Sequence, residues 1–354
     1  MEHAEGADQG RARAPGHREV GRTGLKISEL GFGAGPLGNL YAPISDDAAR
    51  HSLNAALDAG VTYVDTAPYY GFGLSERRVG DVLRGRQGIV LSTKVGRLLK
   101  PAPLVAGEAV RHGFCSAMPF EPVYDYGHDA ILRSFEDSLQ RLGLASIDLL
   151  YVHDIGAMTH GARAGEHFRA LTRGGGLRAL EELRHDRRIK GFGIGVNEIQ
   201  ACLDVMNEAS LDAILLAGRY TLLEQTALDE MLPRCGKAGV SVIIGGPYNS
   251  GILATGVKAA GPVRYDYQEA PPEIVARVGR IEEFCARYNV PLAAAALHFP
   301  LAHPAVASVI PGMGSIAHLN RTLELYHAPI PREFWSDLRK EGLVRADAPM
   351  ADQT

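Results

Sequence analysis

The stretch Asp65-Thr66-Ala67-Pro68-Tyr69-Tyr70-Gly71 sets a carboxylate and a phenol on either side of a turn. The apolar run Val61-Thr62-Tyr63-Val64 before it reads as a short buried strand, so Asp65 falls at the strand's C-terminal end. Tyr70 then lies in the loop that follows, with Pro68 and Gly71 shaping the turn. Two further strand ends carry polar groups. Ile89-Val90-Leu91-Ser92-Thr93-Lys94 delivers a lysine, and Ile147-Asp148-Leu149-Leu150-Tyr151-Val152-His153 delivers a histidine. Each residue alone is ordinary: a turn aspartate, a core tyrosine, a solvated lysine, a paired histidine. In a parallel barrel, though, all strand C-termini open on one face and catalytic groups gather there. Asp65, Tyr70, Lys94 and His153 are therefore predicted to meet at one mouth.

Their types suit proton transfer at an oxygen. A phenol has a pKa near 10, so working near neutrality requires a downward shift of about two to three units, roughly 3–4 kcal/mol. An ammonium at about 4 Å supplies roughly 4 kcal/mol at an effective dielectric near 20. Lys94 is accordingly expected to acidify Tyr70, and Asp65 to keep that ammonium charged and in place. His153 is expected to donate to the substrate oxygen and orient it. A Schiff-base lysine for retro-aldol cleavage is the competing chemistry for Lys94, opposed by a neighbouring carboxylate that keeps the amine protonated. The sequence has no G-x-S-x-G elbow and no His and carboxylate cluster at ligand spacing, so neither a serine hydrolase nor a metal is predicted.

The elements that would position these groups alternate along the chain. Arg18 to Ser28, with Gly21-Arg22-Thr23-Gly24, reads as an N-terminal β-hairpin. Helices are predicted at Asp47–Ala59, Ser75–Leu83, Asp129–Leu142, Leu177–Arg187, Glu198–Glu208, Thr226–Ala238 and from Pro272 through Phe299, interleaved with strands ending at Val306–Ile310. Such alternation predicts a (β/α)8 TIM barrel. Long connections at Gly96–His128, Asp154–Gly176 and Gly246–Pro271 all follow strands and are read as covers on the catalytic face. Phe114, Phe120, Tyr124 and Tyr126 in the first are expected to wall the substrate, with Tyr41, Phe72 and Asp154 as further contacts. Gly33-Ala34-Gly35-Pro36-Leu37-Gly38 spells G-x-G-x-x-G, the fingerprint of a Rossmann unit. A helix must begin within those glycines, yet Pro36 and Pro43 interrupt and the best cap is Ser45, so the glycines are expected to let the backbone pass close to a ligand instead.

The 354 residues fit one barrel domain, read as 17–345, between a disordered tail at 1–16 and a C-terminal tail at 346–354. A net charge of -4 with mixed signs gives no reason for nucleic acid or an anionic membrane as partner. No apolar run reaches transmembrane length, and the N-terminus lacks the apolar core of a signal peptide. Cys115, Cys202, Cys235 and Cys285 are scattered, so reduced thiols in a cytoplasm are expected. Oligomeric state is left open.

Ala56-Leu57-Asp58-Ala59-Gly60, leading through Asp65-Thr66-Ala67 to Tyr70-Gly71 and Ser75-Glu76, resembles the signature of the aldo-keto reductases, NAD(P)-dependent oxidoreductases on a (β/α)8 barrel. The resemblance runs from about Val20 to about Glu324. It implies hydride transfer between a nicotinamide and a small sugar, aldehyde or alcohol, with Tyr70 moving the proton. It also implies a dinucleotide across the mouth, touching Gly35, Asn197, Gly246, Pro247, Tyr248, Ser250, Gly251, Pro311, Gly312 and Met313, with His318 and Thr322 at the adenosine end. Three positions depart from the family: Val196 replaces a Ser, Ala217 a carboxamide-binding Gln, and Gly245 the Tyr that stacks on the nicotinamide. His318 stands where NADP-dependent members place an Arg, which favours NAD, with NADP kept possible by Arg321.

The spacer Phe72-Gly73-Leu74, the long insertion after Asp154, and Ala217-Gly218-Arg219-Tyr220-Thr221-Leu222-Leu223-Glu224-Gln225 are similar to one branch of that family. The branch includes L-fucose and D-threo-aldose 1-dehydrogenases and pyridoxal 4-dehydrogenase. It implies oxidation of an aldose at C1 to its lactone, with pyridoxal oxidation and NADPH-dependent aldehyde reduction as alternatives. A dinucleotide-binding module without turnover is the reading from outside enzymology.

Overall fold

Five segments, Val-Leu-Ser-Thr-Lys-Val, Leu-Leu-Tyr-Val-His, Ala-Ile-Leu-Leu-Ala, Ser-Val-Ile-Ile-Gly and Val-Ala-Ser-Val-Ile, lack polar alternation, as strands covered on both faces should. In the computed structural model, which describes residues 14–103, 110–258, 261 and 263–350, they belong to one parallel sheet. The sheet runs in chain order: β1 Phe32–Gly33, β2 Tyr63–Asp65, β3 Val90–Val95, β4 Leu149–His153, β5 Gly191–Val196, β6 Ala213–Ala217, β7 Ser241–Gly245 and β8 Val306–Ile310. It closes on itself, because Gly31 N donates to Val309 O at 2.9 Å and Gly33 N to Pro311 O at 3.1 Å. A Cβ on Gly33 would stand 2.8 Å from Ile310 O, so glycine is what lets the first strand reach the last. The fold is the predicted (β/α)8 barrel.

The hairpin His17–Val20 with Leu25–Ser28 plugs the end opposite the strand C-termini. Its Val20 and Ile27 pack into the barrel interior with Tyr63, Leu149, Tyr151 and Ile243. Outside, helix α1 (Asp46–Asp58) starts where Ser45 accepts from Ala48 N at 3.1 Å and Asp46 and Asp47 face the positive helix end. It buries Ala49, Leu53, Ala56 and Leu57 and ends before Gly60, which turns the chain into β2 and so aims Asp65. Helix α2 (Leu74–Leu83) carries Glu76, fully buried; its carboxylate accepts from Thr93 Oγ1 of β3 at 2.7 Å and from Arg141 Nε of α3 (His128–Leu142). One acid thereby registers two helices against the strand that holds Lys94.

Several expectations change in detail. The helical region expected from Pro272 through Phe299 consists of two helices, Pro272–Arg287 and Leu292–Leu301, separated where Asn289 adopts φ 54° ahead of Pro291. The three long connections carry structure of their own. The first forms an antiparallel ladder of Arg97–Pro101 with Phe120–Tyr124, the second holds helices Ala157–His160 and Ala164–Leu171, and the third a hairpin of Arg264–Tyr265 with Gln268–Glu269. Ala348 and Met350 are buried, so packed chain extends past the boundary placed at 345. The expected N-terminal tail lies outside the described residues up to position 13, as do 351–354. Among the described residues no helix is long and apolar enough to cross a membrane, and all four cysteines are buried and free.

Candidate active site

Because β2, β3 and β4 end side by side, the four residues predicted to meet do meet. Lys94 Nζ lies 2.6 Å from Asp65 Oδ2 and donates to Thr66 O at 2.9 Å, with both charged side chains 2% exposed. The same ammonium stands 4.8 Å from the centroid of the Tyr70 ring. The His153 ring sits edge-on to Tyr70, centroids 6.2 Å apart at 89°. Its backbone carbonyl accepts from the buried Tyr126 hydroxyl at 2.8 Å, and its Nδ1 has no partner among the described residues.

Beneath Asp65 runs a chain of hydroxyls inside the barrel. Ser92 Oγ donates to Asp65 Oδ1 at 2.7 Å, Tyr63 OH is 2.9 Å from Ser92 Oγ, and Tyr151 OH is 3.2 Å from Tyr63 OH. Since the Ser92 proton is given to the carboxylate, Tyr63 must donate to Ser92 and Tyr151 to Tyr63. Every dipole in the chain then points at the anion, and both Asp65 oxygens are satisfied.

Burial dominates the electrostatics of the phenol. Desolvation pushes Tyr70 up to about 12; Lys94 pulls it down, but Asp65 pushes the other way. Lys94 acts in the expected direction, but burial outweighs it and its counter-charge Asp65 offsets part of it, so the pull of one lysine does not by itself bring Tyr70 towards neutrality. Burial lowers the Lys94 ammonium, yet Asp65 and Tyr70 outweigh it and the net direction is upward. Burial, then Arg97 and Lys94, hold His153 well below the usual imidazole range, so its ring is neutral. The site presents two neutral hydrogen-bonding groups beside a fixed ion pair.

Above them opens a cavity of about 730 Å³. Tyr41, Tyr124 and Asp154 line it as predicted, as does Phe114. Phe72 and Phe120 do not: Phe72 is fully buried behind the wall with Leu99 and Phe114, and Phe120 packs at the fringe of that cluster. Tyr126 supports His153 from behind rather than facing substrate. Tyr69, Arg97, His112, Arg264 and Tyr267 also line the cavity and were not singled out in the sequence. Arg97 carried a signal, a charged residue three positions past Lys94 at the end of a buried strand. Tyr41, His112, Asp154 and Tyr267 all adopt positive φ, 46° to 64°, a concentration of strained backbone around one cavity.

Sequence comparison agrees with this arrangement. Residues 29–341 match the model of the Aldo/keto reductase family. The chain belongs to that family. It is an oxidoreductase acting on alcohol or aldehyde groups, and membership implies a nicotinamide cofactor. Pyridoxal 4-dehydrogenase from Microbacterium luteolum is 48% identical over 342 residues, covering 94% of this chain and 99% of that one. D-threo-aldose 1-dehydrogenase from a Pseudomonas species is 40% identical over 326 residues, covering 91% and 96%. Among solved structures, the aldo-keto reductase AKR11C1 from Bacillus halodurans superposes with a TM-score of 0.71 at 26% identity, over 96% of this chain and 99% of that one.

The residues of this aldo-keto reductase fit a dinucleotide. Gly195, Val196, Asn197, Leu215 and Ala217 line the cavity with small or apolar groups beside one amide. Tyr248, after β7, has a buried hydroxyl with no partner among the described residues. After β8, Pro311, Gly312 and Met313 lead to Ser315, which caps helix Ile316–Tyr326 by accepting from His318 N at 3.2 Å. Gly246, Pro247, Ser250 and Gly251 follow β7, and Ser250 Oγ accepts from Tyr267 N at 3.0 Å. That contact is one of several fastening the Arg264–Glu269 hairpin across the mouth. Arg219 grips Asp266 with two bonds of 2.9 Å, and Tyr265 OH donates to Glu224 at 2.8 Å.

Two candidates sit differently from expectation. Thr322 is buried and spends its hydroxyl on His318 O at 2.8 Å within its own helix. Gly35 lies in a 3-10 turn and does not line the cavity. The glycines around it serve chain packing: a Cβ on Gly38 would be 2.5 Å from the Tyr70 carbonyl carbon. They bring backbone to backbone, so the close approach expected to a ligand is made to the Tyr70 loop.

Proposed function

We propose that this aldo-keto reductase oxidises a cyclic hemiacetal to its lactone, with hydride passing to NAD. The observation carrying the proposal is that Asp65, Lys94, Tyr70 and His153 converge at the foot of a cavity in a chain that two hemiacetal-type dehydrogenases match along almost their whole length. An aldose closes onto a hydroxyl of its own chain, and pyridoxal closes onto its own hydroxymethyl group. Both present the same reacting unit, a ring carbon bearing hydrogen and hydroxyl.

When bound, the nicotinamide would accept or return the hydride. His153, neutral and facing the cavity, fixes the substrate oxygen. Tyr70 takes the hydroxyl proton as the C–H bond is lost, and Lys94 stabilises the phenolate that must precede that step. Asp65 holds Lys94. His318 is exposed and offers no bidentate guanidinium, and Arg321 pairs with Glu324 at 3.2 Å, which supports NAD over NADP. The free cysteines support a cytoplasmic setting.

With its phenol pushed up to about 12, Tyr70 is protonated at neutral pH and becomes a base only as pH rises. Oxidation is therefore expected to climb through the alkaline range without levelling near neutrality. The experiment is NADH and NADPH appearance against pH with pyridoxal, L-fucose, D-arabinose and L-galactose, for wild type and Tyr70→Phe. A rate that Tyr70→Phe leaves unchanged, or silence on every hemiacetal despite dinucleotide binding, would remove the proposal.

A further inference from the structure

Arg97 is the cavity residue with chemistry still to spend. It is 3% exposed, yet it lines the cavity beside His153. Its guanidinium carbon lies 4.1 Å from the centroid of the Tyr69 ring and 5.3 Å from that of Tyr124, and one terminal nitrogen is taken by Asp154. Its Nε–H is buried without a hydrogen-bond partner among the described residues. A buried donor left unpaired is destabilising unless a ligand completes it. Tyr69 stands between this donor and the reaction centre, its ring centroid 6.1 Å from that of His153.

The carboxylates at the cavity are already committed. Asp154, held at φ 46°, braces Arg97, and Glu198 accepts from the backbone of Ala157 and Met158 at 3.1 and 3.0 Å. For a ligand the wall offers the hydroxyls of Tyr41 and Tyr267, the Asn197 amide and, between the Tyr69 and Tyr124 rings, the cationic donors of Arg97. A guanidinium cannot lose its proton in this pH range, and its bond to an ionised oxygen is roughly twice as strong as one to a neutral hydroxyl.

We infer that Arg97, braced by Asp154, reads the substrate by donating to an ionised hydroxyl on an aromatic ring beside the reacting carbon. The preferred substrate is then the hemiacetal of a hydroxyaryl aldehyde, with a neutral sugar as the poorer fit. This rests on the hemiacetal dehydrogenase reading and narrows it. Tyr69, Phe114 and Tyr124 supply flat surfaces for such a ring, and Arg97 supplies the point that fixes its rotation about the reacting carbon.

The test compares pyridoxal, its 3-deoxy analogue and L-fucose in wild type, Arg97→Gln, and Arg97→Gln combined with Asp154→Asn, which leaves no unpaired charge. Dinucleotide binding by fluorescence checks folding. Wild type is expected to prefer pyridoxal over the deoxy analogue by at least about 10-fold in kcat/KM, the value of one charged hydrogen bond. Arg97→Gln should lower kcat/KM for pyridoxal about 10- to 100-fold more than for the other two substrates, any loss common to all three coming through His153, which Arg97 also faces. Equal loss with and without the ring hydroxyl, or a wild type that takes L-fucose and refuses pyridoxal, overturns the inference and leaves the dehydrogenase standing. Silence of wild type on all three overturns both. Should neither variant fold, the wild-type comparison of pyridoxal with its deoxy analogue decides alone.

Discussion

Asp65→Asn should make Tyr70 more acidic, although the same carboxylate is what keeps Lys94 charged. The ammonium lies 4.8 Å from the phenol ring, an attraction for phenolate of about 3.5 kcal/mol at an effective dielectric near 20. The Asp65 oxygen is 2.6 Å from that ammonium, hence within about 7 Å of the ring, and repels phenolate by roughly 2.4 kcal/mol on the same scale. The ion pair therefore favours ionised Tyr70 by only about 1 kcal/mol, less than one pKa unit, and burial prevails. Replacing the carboxylate by an amide removes the repulsion. The amide oxygen still accepts from Lys94, as does Thr66 O, and the amide NH2 turns to Ser92, whose hydroxyl can accept instead. Tyr70 should then ionise about one to two units below its present value of about 12. The assay is an ultraviolet phenolate titration of Asp65→Asn against the same variant carrying Tyr70→Phe, which cancels the other tyrosines. A phenolate transition that stays in place or moves upward would refute the reasoning. It would mean that Lys94 gives up its proton once Asp65 is neutral, so that the carboxylate's service to the lysine outweighs its opposition to the phenol.

Glu76→Ala leaves Arg141 and Thr93 without their shared acceptor in a buried position and should cost about 3 kcal/mol, read from the midpoint of urea unfolding. Asp266→Ala frees the Arg264–Glu269 hairpin from Arg219. It is expected to speed dinucleotide release about fivefold in stopped-flow fluorescence, a modest effect because Asp266 is partly exposed. His318→Arg places a guanidinium on the exposed first turn after β8 and should shift the kcat/KM ratio towards NADP by about 10-fold. An unchanged ratio would mean that the adenosine end lies elsewhere.

The convergence of Asp65, Tyr70, Lys94 and His153 was legible because each is a distinctive residue type at or just past the end of a buried strand, and barrel closure alone brings such ends together. The sign of the Tyr70 shift was not, since it depends on how far Asp65 stands behind Lys94 and how completely water is excluded. The cavity wall was legible only in part. Phe72, in the loop after β2, is buried against Leu99 and Phe114, and Phe120 sits at the end of a two-stranded ladder at the fringe of that cluster; no periodicity rule reaches a loop that folds on itself.

Glycine misled in an instructive way. Gly33 and Gly38, which spell a ligand-binding fingerprint, sit where backbone meets backbone. At the cavity, left-handed conformations fall on Gly113 and also on Tyr41, His112, Asp154 and Tyr267, residues for which that conformation is costly. A side chain is present at each of the latter points because the cavity wall is built from it. Replacing Asp154 by glycine would relieve the backbone but leave the buried Arg97 guanidinium unpaired, so such a variant should lose about 2–3 kcal/mol of stability and also lose discrimination among substrates. A thermal melt beside the pyridoxal to L-fucose ratio separates the two effects, and a variant that loses stability without losing discrimination would show that Asp154 is there for the fold.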